Sequence, residues 1–112
     1  MEELSVISIT YEVYKKLIGL NTSLDKKYRH TLGESAVASC SDTLKQLILA
    51  KHAPKPIKAS YLIQADALAE LTALKLRVIL ELHLANDTNL LKIQARMSEA
   101  RRMIGGWRKS LP

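Results

Sequence analysis

Apolar residues recur along this chain at intervals of three and four, the spacing that places side chains on one face of an α-helix. A brief alternation at residues 6–10 lies inside a helical pattern, so no β-strand is expected there. The predicted helices cover residues 4–24, 31–51, 58–84 and 88–109. Because short connections join them, the pattern predicts an all-α fold, an antiparallel up-down four-helix bundle that forms a single domain over residues 1–112.

The apolar positions also predict the core. The first helix carries two adjacent stripes, Val6, Val13, Leu17, Leu20 and Leu24 beside Leu4, Ile7, Tyr11, Tyr14 and Ile18. The second helix carries Leu32, Ala36, Cys40, Leu44, Leu47 and Ile48. The third and fourth seams are Leu62, Ala65, Ala69, Thr72, Leu76 and Ile79, and Leu90, Ile93, Met97, Ala100, Ile104 and Trp107. We expect these residues to face one another.

Polar and proline residues predict where the helices begin and end. Thr31 followed by Glu34 has the spacing of a capping box at the start of the second helix. Pro54 and Pro56 should end that helix, because proline lacks an amide donor and restricts the residue before it. The Asn86–Asn89 segment offers several N-caps for the fourth helix.

The third helix is more apolar than a four-helix core requires. All or part of a second seam is not needed to form that core. This seam consists of Leu68, Leu71, Val78 and Leu82. Exposed, it would form a larger patch than soluble monomers usually tolerate. We therefore expect a homo-oligomer with closed cyclic symmetry. The alternative is a monomer in which the third helix is simply the central one.

Charge is concentrated near the end of the chain. The net charge is +6, and residues 88–112 contain six basic residues and one acidic residue. Such a segment indicates either a polyanionic partner or a solvated helix face. Aromatic residues make up only 4% of the chain, so any nucleic acid should be recognised through phosphates and shape rather than base stacking.

Candidate catalytic chemistry is sparse. His30, His52 and His83 do not form the pairs that place two metal ligands on one helical face. Cys40 lies among small residues and is expected to be a core thiol, and Arg77 is spaced to pair with Glu81. We therefore predict no enzyme activity, no metal, no cofactor and no small-molecule substrate. The apolar stretches are too short for a membrane helix, and a single cysteine fits a cytoplasmic protein.

Gly105 and Gly106 interrupt the fourth helical pattern beside the only tryptophan. Each glycine inside a helix costs about 1 kcal/mol relative to alanine, so a close approach of another helix should compensate. Gly33 is a plausible neighbour. The other interpretation ends the helix at Gly105, with Trp107 packing back as a cap contact. The spacing of Trp107 within the seam favours the continuous helix.

Two motifs resemble those of a bacterial four-helix-bundle family. Residues 28–33, Tyr-Arg-His-Thr-Leu-Gly, resemble the R-x-T-L-G opening of its second helix. Residues 102–107, Arg-Met-Ile-Gly-Gly-Trp, resemble its G-R-M-L-G-G-W signature, with Arg101 where the family usually has glycine. The family comprises the accessory variability determinants of diversity-generating retroelements and the 23S ribosomal RNA intervening-sequence proteins. The resemblance spans roughly residues 10–110.

The resemblance implies a non-enzymatic homopentamer that binds a reverse transcriptase and template RNA through basic surfaces and so supports mutagenic retrohoming. The residues assigned to nucleic-acid or partner binding are Arg77, Lys92, Arg96, Arg101, Arg102, Arg108, Lys109, Lys26, Lys27 and Arg29. The structural motif residues are Thr31, Leu32, Gly33, Gly105, Gly106 and Trp107. Where the family has a basic residue one turn before Arg77, this chain has Ala73. The alternative is a structural homo-oligomer of the intervening-sequence type, without a reverse transcriptase partner.

Overall fold

The computed structural model describes residues 2–112, with side chains from Ser5 onward, and every regular element in that part of the chain is helical. The four long helices are α1 (Glu2–Ser23), α2 (Glu34–His52), α3 (Lys55–Glu81) and α4 (Asp87–Ser110). A single turn (Lys26–Tyr28) and a π-helical segment (Arg29–Gly33) precede α2. The prediction of an all-α protein built from four long helices is confirmed.

The helices form an elongated body of 45 × 23 × 18 Å. Helix α1 packs against α2 and α4, and α3 packs against the same two helices. Each helix therefore has two main neighbours and turns one side toward a shared core. This arrangement determines which polar side chains of adjacent helices can contact one another.

The core follows the predicted seams of α3 and α4 closely, whereas Ile48, at the end of the predicted seam of α2, is 45% exposed. Every predicted seam residue of α3 and α4 is buried, and so are the five residues of the first stripe on α1. The second stripe of α1 is not equivalent, since Tyr11 is 54% exposed and Ile18 is 42% exposed. The Leu4 side chain lies outside the described residues.

Hydroxyl groups inside the core are hydrogen-bonded. Ser39 of α2 and Thr72 of α3 share a hydrogen bond of 2.8 Å, and both are buried. Thr72 can also donate to the Leu68 carbonyl, and Thr43 to the Ser39 carbonyl, each at 2.8 Å. Buried polar groups are costly only when unsatisfied. The Ser39–Thr72 pair therefore links α2 to α3, and its hydrogen bonds compensate for removing the two hydroxyl groups from water.

The capping box predicted at Thr31 and Glu34 is wrong. Thr31 lies within the π-helical segment, and its hydroxyl donates to the Lys27 and Tyr28 carbonyls at 3.2 and 3.4 Å. Glu34 instead contacts His30 Nδ1 at 3.1 Å. Because helical hydrogen bonding continues from the preceding turn, Thr31 does not stand at a free helix start, and α2 begins at Glu34.

The other helix ends lie close to the predicted bounds. Helix α3 begins at Lys55, three residues earlier than expected, because Pro56 lies in its first turn, where no intrahelical amide donor is required. After α3 ends, His83 takes a φ of 54° in the tight connection to α4. Asn86 then caps α4 as predicted, its side chain accepting from the Asn89 amide at 2.9 Å.

Candidate nucleic-acid and partner interface

The basic residues of α4 do not share one face. Successive residues on a helix are rotated by about 100°, so the six basic residues divide into three pairs. Arg102 and Lys109 lie opposite the buried seam of α4 and point outward. Arg101 and Arg108 lie on the side toward α3, and Lys92 and Arg96 on the side toward α1. These assignments agree with the ion pairs to Glu70 on α3 and Glu12 on α1.

Arg96 is held by two carboxylates. Its guanidinium donates to Glu12 Oε2 and to Glu99 Oε2, both at 2.6 Å, and Glu12 also contacts Lys16 at 3.3 Å. The hydrogen bond from Arg96 lowers the pKa of Glu12, and the carboxylate in turn raises the pKa of Arg96. Arg96 is thus a link between α1 and α4. Its charge is neutralised locally, which makes it a poor candidate for binding phosphate.

Arg101 and Arg77 also have carboxylate partners. Arg101 Nη2 lies 3.4 Å from Glu70 Oε1, and the Arg101 side chain is 36% exposed. Arg77 Nε donates to Glu81 at 3.2 Å, as the sequence predicted, and both side chains are more than 60% exposed. Exposed ion pairs of this kind contribute little to stability and are easily exchanged. Because its side chain is also exposed, Arg77 remains accessible to a partner.

Arg29 stabilises the end of α1. Its Nη2 group donates to the carbonyls of Thr22 and Leu24 at 3.3 and 3.1 Å. These carbonyls lie at the C-terminal end of α1, where a positive charge also interacts favourably with the helix dipole. The arginine in the first resembling motif is therefore part of the α1–α2 connection rather than a free surface cation.

The remaining predicted binding residues are exposed. They are Lys26, Lys27, Lys92, Arg102, Arg108 and Lys109. Among the described residues none of them forms an ion pair, although Lys27 Nζ lies 5.0 Å from the centre of the Tyr28 ring. Four of the six belong to α4. These four lie on the outward side and the two edges of that helix, while other exposed lysines, such as Lys45 and Lys51, lie on α2.

The glycines of the two resembling motifs have different surroundings. A Cβ added at Gly33 would collide with the Asn21 side chain and would lie 3.0 Å from Leu24 Cδ1. Helix α4 continues through Gly105 and Gly106, which confirms the continuous-helix interpretation. A Cβ at Gly105, however, would meet nothing within 4 Å. The predicted close approach is therefore wrong at Gly105, and the tight contact of Gly33 is with α1.

Potential metal ligands and the single cysteine were the remaining candidates for chemistry. No group of three or more potential ligands is close enough to hold a metal ion there. Cys40 is completely buried, as predicted for a core thiol, and burial raises its pKa to about 12. A thiol with this pKa remains protonated at neutral pH and is a poor nucleophile.

Sequence reasoning missed the contact between Arg96 and Glu12, which lie 84 residues apart. The local signal near Arg96 was only Glu99, three residues away, and nothing in the spacing indicated a partner on α1.

No family model matches the chain, and no curated protein matches it. Within the described residues, no helix combines the length and apolar character needed to cross a membrane.

Proposed function

We propose that this protein is a non-enzymatic RNA-binding accessory protein that assembles with a reverse transcriptase, as its resemblance to the accessory variability determinants implies. The observation that carries the proposal is the group of exposed cations on α4: Lys92, Arg102, Arg108 and Lys109. Lysine and arginine side chains without carboxylate partners can neutralise RNA phosphates and release condensed counterions. Lys26 and Lys27 add exposed positive charge on the α1–α2 connection.

An antiparallel up-down arrangement is part of the proposal. Contacts between α2 and α3 support it, because their order reverses along the two helices. Near the start of α2, the Ser35 carbonyl accepts from Lys75 at 3.0 Å. Near its end, the Ala50 carbonyl accepts from Lys58 at 2.7 Å. Such a bundle presents each exposed helix face as a rigid surface.

The RNA hypothesis is tested by measuring binding to a fluorescent single-stranded RNA as a function of salt. Replacing both Arg102 and Lys109 with glutamine should weaken binding and make its logarithmic salt slope less steep by about 1.4, the value for two lost phosphate contacts on a single strand. The control replaces Lys45 and Lys51 of α2, two exposed lysines, by the same residue. Both variants lose the same charge. Equal effects would show that only net charge matters and would contradict a binding site on α4.

The reverse transcriptase hypothesis is tested by purifying the tagged protein from its own cells, with and without nuclease treatment, and assaying the product for a reverse transcriptase. A complex that survives nuclease contains a direct protein contact. A complex that is lost on treatment is bridged by nucleic acid. Failure to recover a polymerase in either condition contradicts this part of the proposal.

A structural homo-oligomer of the intervening-sequence type is the second candidate. It is favoured by the large apolar side chains that remain exposed, among them Leu71, Val78 and Leu82 of α3. The resemblance implies five copies, with a mass five times that of the chain. Self-association together with salt-independent or absent RNA binding would support this candidate over the first.

A further inference from the structure

Two apolar surfaces remain exposed on different sides of the bundle. The first is the α3 stripe, which lies opposite the core and consists of Ile63, Ala67, Leu71, Leu74, Val78 and Leu82. Its five large side chains are between 40% and 54% exposed. The stripe includes three of the four residues that the sequence predicted not to be needed for the core, whereas Leu68 is half-buried.

The second surface is a groove between α1 and α2. Tyr11 and Ile18 of α1 and Ile48 of α2 are 54%, 42% and 45% exposed. At 100° per residue, these three lie on the sides of the two helices that adjoin each other. Half-buried apolar side chains from both helices lie between them: Ile7, Tyr14, Val37 and Leu44. The chain therefore has a protruding apolar surface on one side and a recessed one on another.

We propose that the α3 stripe of one copy of this chain packs into the α1–α2 groove of the next copy, so that the copies join head to tail and close into a ring. The two surfaces differ in sequence, and the rotation of 100° per residue places them about 120° apart around the bundle. A contact between two different surfaces forms a closed ring when successive rotations return to the first copy. In rings of five or six copies the two surfaces must point roughly 110–120° apart. The five copies that the resemblance implies satisfy this condition.

The spacing of apolar residues matches between α1 and α3. Four residues on each helix follow one another at intervals of 4, 3 and 4, and each α3 residue comes 60 positions after its α1 counterpart. They are Ile7, Tyr11, Tyr14 and Ile18 on α1, and Ala67, Leu71, Leu74 and Val78 on α3. Intervals of three and four are those at which the side chains of parallel helices interdigitate. Tyr11 then meets the partner's Leu71, and Ile18 meets the partner's Val78.

The symmetry of a ring produces the same register. If the helices run along the ring axis, neighbouring copies are not shifted along it, so residues at the same level meet. Cys40 Sγ lies 3.9 Å from the Thr10 carbonyl oxygen, and Ser39 is hydrogen-bonded to Thr72 at 2.8 Å. In the up-down arrangement proposed above, these contacts place Thr10 level with Leu71. This level differs by one residue, about 1.5 Å, from the match of Tyr11 with Leu71.

The α2 wall of the groove agrees with this register. Because α2 and α3 run in opposite directions in that arrangement, the Ser39–Thr72 contact places Ile48 level with Ile63. The two side chains are 45% and 50% exposed. Ile48 can therefore cover the partner's Ile63, and both walls of the groove contact the stripe.

Opposite charges adjoin the contact on α2. Asp42 lies on the side of α2 next to the α3 stripe, and Lys45 lies next to the α1–α2 groove. Both residues are exposed, and neither has an ion pair among the described residues. When the stripe enters the groove, Asp42 faces the partner's Lys45 at a level about 4.5 Å away, within reach of a lysine side chain. This match leaves the existing Arg101–Glu70 and Arg77–Glu81 pairs intact.

The area of the two surfaces suits a specific contact. The five large side chains of the stripe leave on the order of 450 Å² of apolar surface, and the three exposed side chains of the groove leave about 300 Å². The half-buried residues and the flanking charges bring the total near the ~1,200 Å² lower limit for specific interfaces. Each copy takes part in two such contacts, so closure of the ring holds every chain on two sides.

This contact goes beyond the proposed function, because it assigns the surfaces that join the copies and does not use α4. Helix α2 lies between the two contact surfaces and faces the ring axis, whereas α4 faces outward. Arg102 and Lys109 are then repeated around the outside of the ring. The contact rests on the up-down arrangement but not on RNA binding. Replacing Arg102 and Lys109 with glutamine should therefore weaken RNA binding at unchanged mass, so the two proposals can fail separately.

The first experiment measures mass by light scattering coupled to gel filtration at high micromolar protein concentration. The wild type should have a multiple of the 12.5 kDa chain mass, five times in the assembly that the resemblance implies. Ile18→Lys in the groove and Leu74→Lys in the stripe should each give a monomer with an unchanged helical circular dichroism spectrum. Leu91→Lys on α4, 53% exposed and outside both surfaces, is the matched control and should keep the wild-type mass. A monomeric or dimeric wild type, or a groove variant that stays assembled, would overturn the proposal.

Mixing the two monomeric variants tests whether the contact joins different surfaces. The Ile18→Lys chain keeps an intact stripe, and the Leu74→Lys chain keeps an intact groove. One contact can form between them, and no further copy can add, because the remaining groove and stripe are both damaged. The mixture should therefore contain a species of twice the chain mass, although each variant alone is a monomer. A mixture that remains monomeric would overturn the head-to-tail contact.

The last experiment changes one charge in this mixed pair. Asp42→Lys in the chain that supplies the stripe faces the partner's Lys45 and should raise the dissociation constant about threefold or more at low salt. The matched control is the same substitution in the chain that supplies the groove, where Asp42 lies beside the damaged stripe and should have little effect. Adding Lys45→Asp to the chain that supplies the groove should recover most of the loss. Equal effects of Asp42→Lys in the two chains, or no recovery, would overturn the proposed register.

Discussion

Replacing Gly105 with alanine tests whether anything packs closely against the outward side of α4. The residue lies inside the helix, where glycine costs about 1 kcal/mol relative to alanine. A Cβ at this position meets no atom within 4 Å, so no overpacking offsets the gain in helix propensity. We expect Gly105→Ala to stabilise the protein by about 0.5–1 kcal/mol. For a chain of this length, the corresponding rise in Tm is about 2–6 °C.

Gly19 of α1 provides a matched control for this substitution. It is also helical, and a Cβ added there likewise meets nothing within 4 Å. Gly19→Ala should therefore give a similar gain. Urea unfolding followed by circular dichroism at 222 nm should show a higher midpoint for both variants, with the slope m unchanged.

Comparing the two variants tests the conclusion that nothing packs closely against α4 at Gly105. If Gly105→Ala lowers the midpoint while Gly19→Ala raises it, a second surface must lie against α4 in solution. That result would restore the close approach predicted from the paired glycines. It would also show that the outward face carrying Arg102 and Lys109 is covered in the assembled protein, which would count against RNA binding there.

Three further substitutions or measurements test individual contacts. Gly33→Ala should destabilise the protein by about 1 kcal/mol, because the new Cβ collides with Asn21, and the loss should shrink when Asn21→Ala is added. Glu12→Gln should lower stability at pH 7. The hydrogen bond from Arg96 lowers the folded-state pKa of Glu12, so the contribution of Glu12 is present above the ordinary pKa of ~4.3 and is lost as the pH falls through the folded-state pKa. In acid denaturation experiments, the stabilities of wild type and variant should therefore converge as the pH falls. Cys40 should not react with a thiol reagent at pH 8 until urea unfolds the chain, and rapid reaction of the native protein would contradict its burial.

The sequence alone determined the helices and most of the core. Each seam depends only on periodicity within one helix, and burial of a 3.6-residue stripe is the main source of helix stability in a protein. The α4 seam from Leu90 to Trp107 is buried throughout, as its spacing predicted. Asn86 was likewise predictable as a cap, because an N-cap bond joins residues only three apart.

The tertiary structure decided which polar residues are available. The neighbouring sequence does not show which arginines have a partner on another helix. In the folded chain, Arg96 and Arg101 pair with carboxylates on other helices and Arg29 caps α1, whereas Arg102 remains exposed. Likewise, nothing near Gly33 or Gly105 in the sequence distinguishes a crowded glycine from an open one. Local spacing specifies which side of a helix a residue occupies. What lies opposite that side depends on how the helices pack, so partners distant in sequence become visible only in the folded chain.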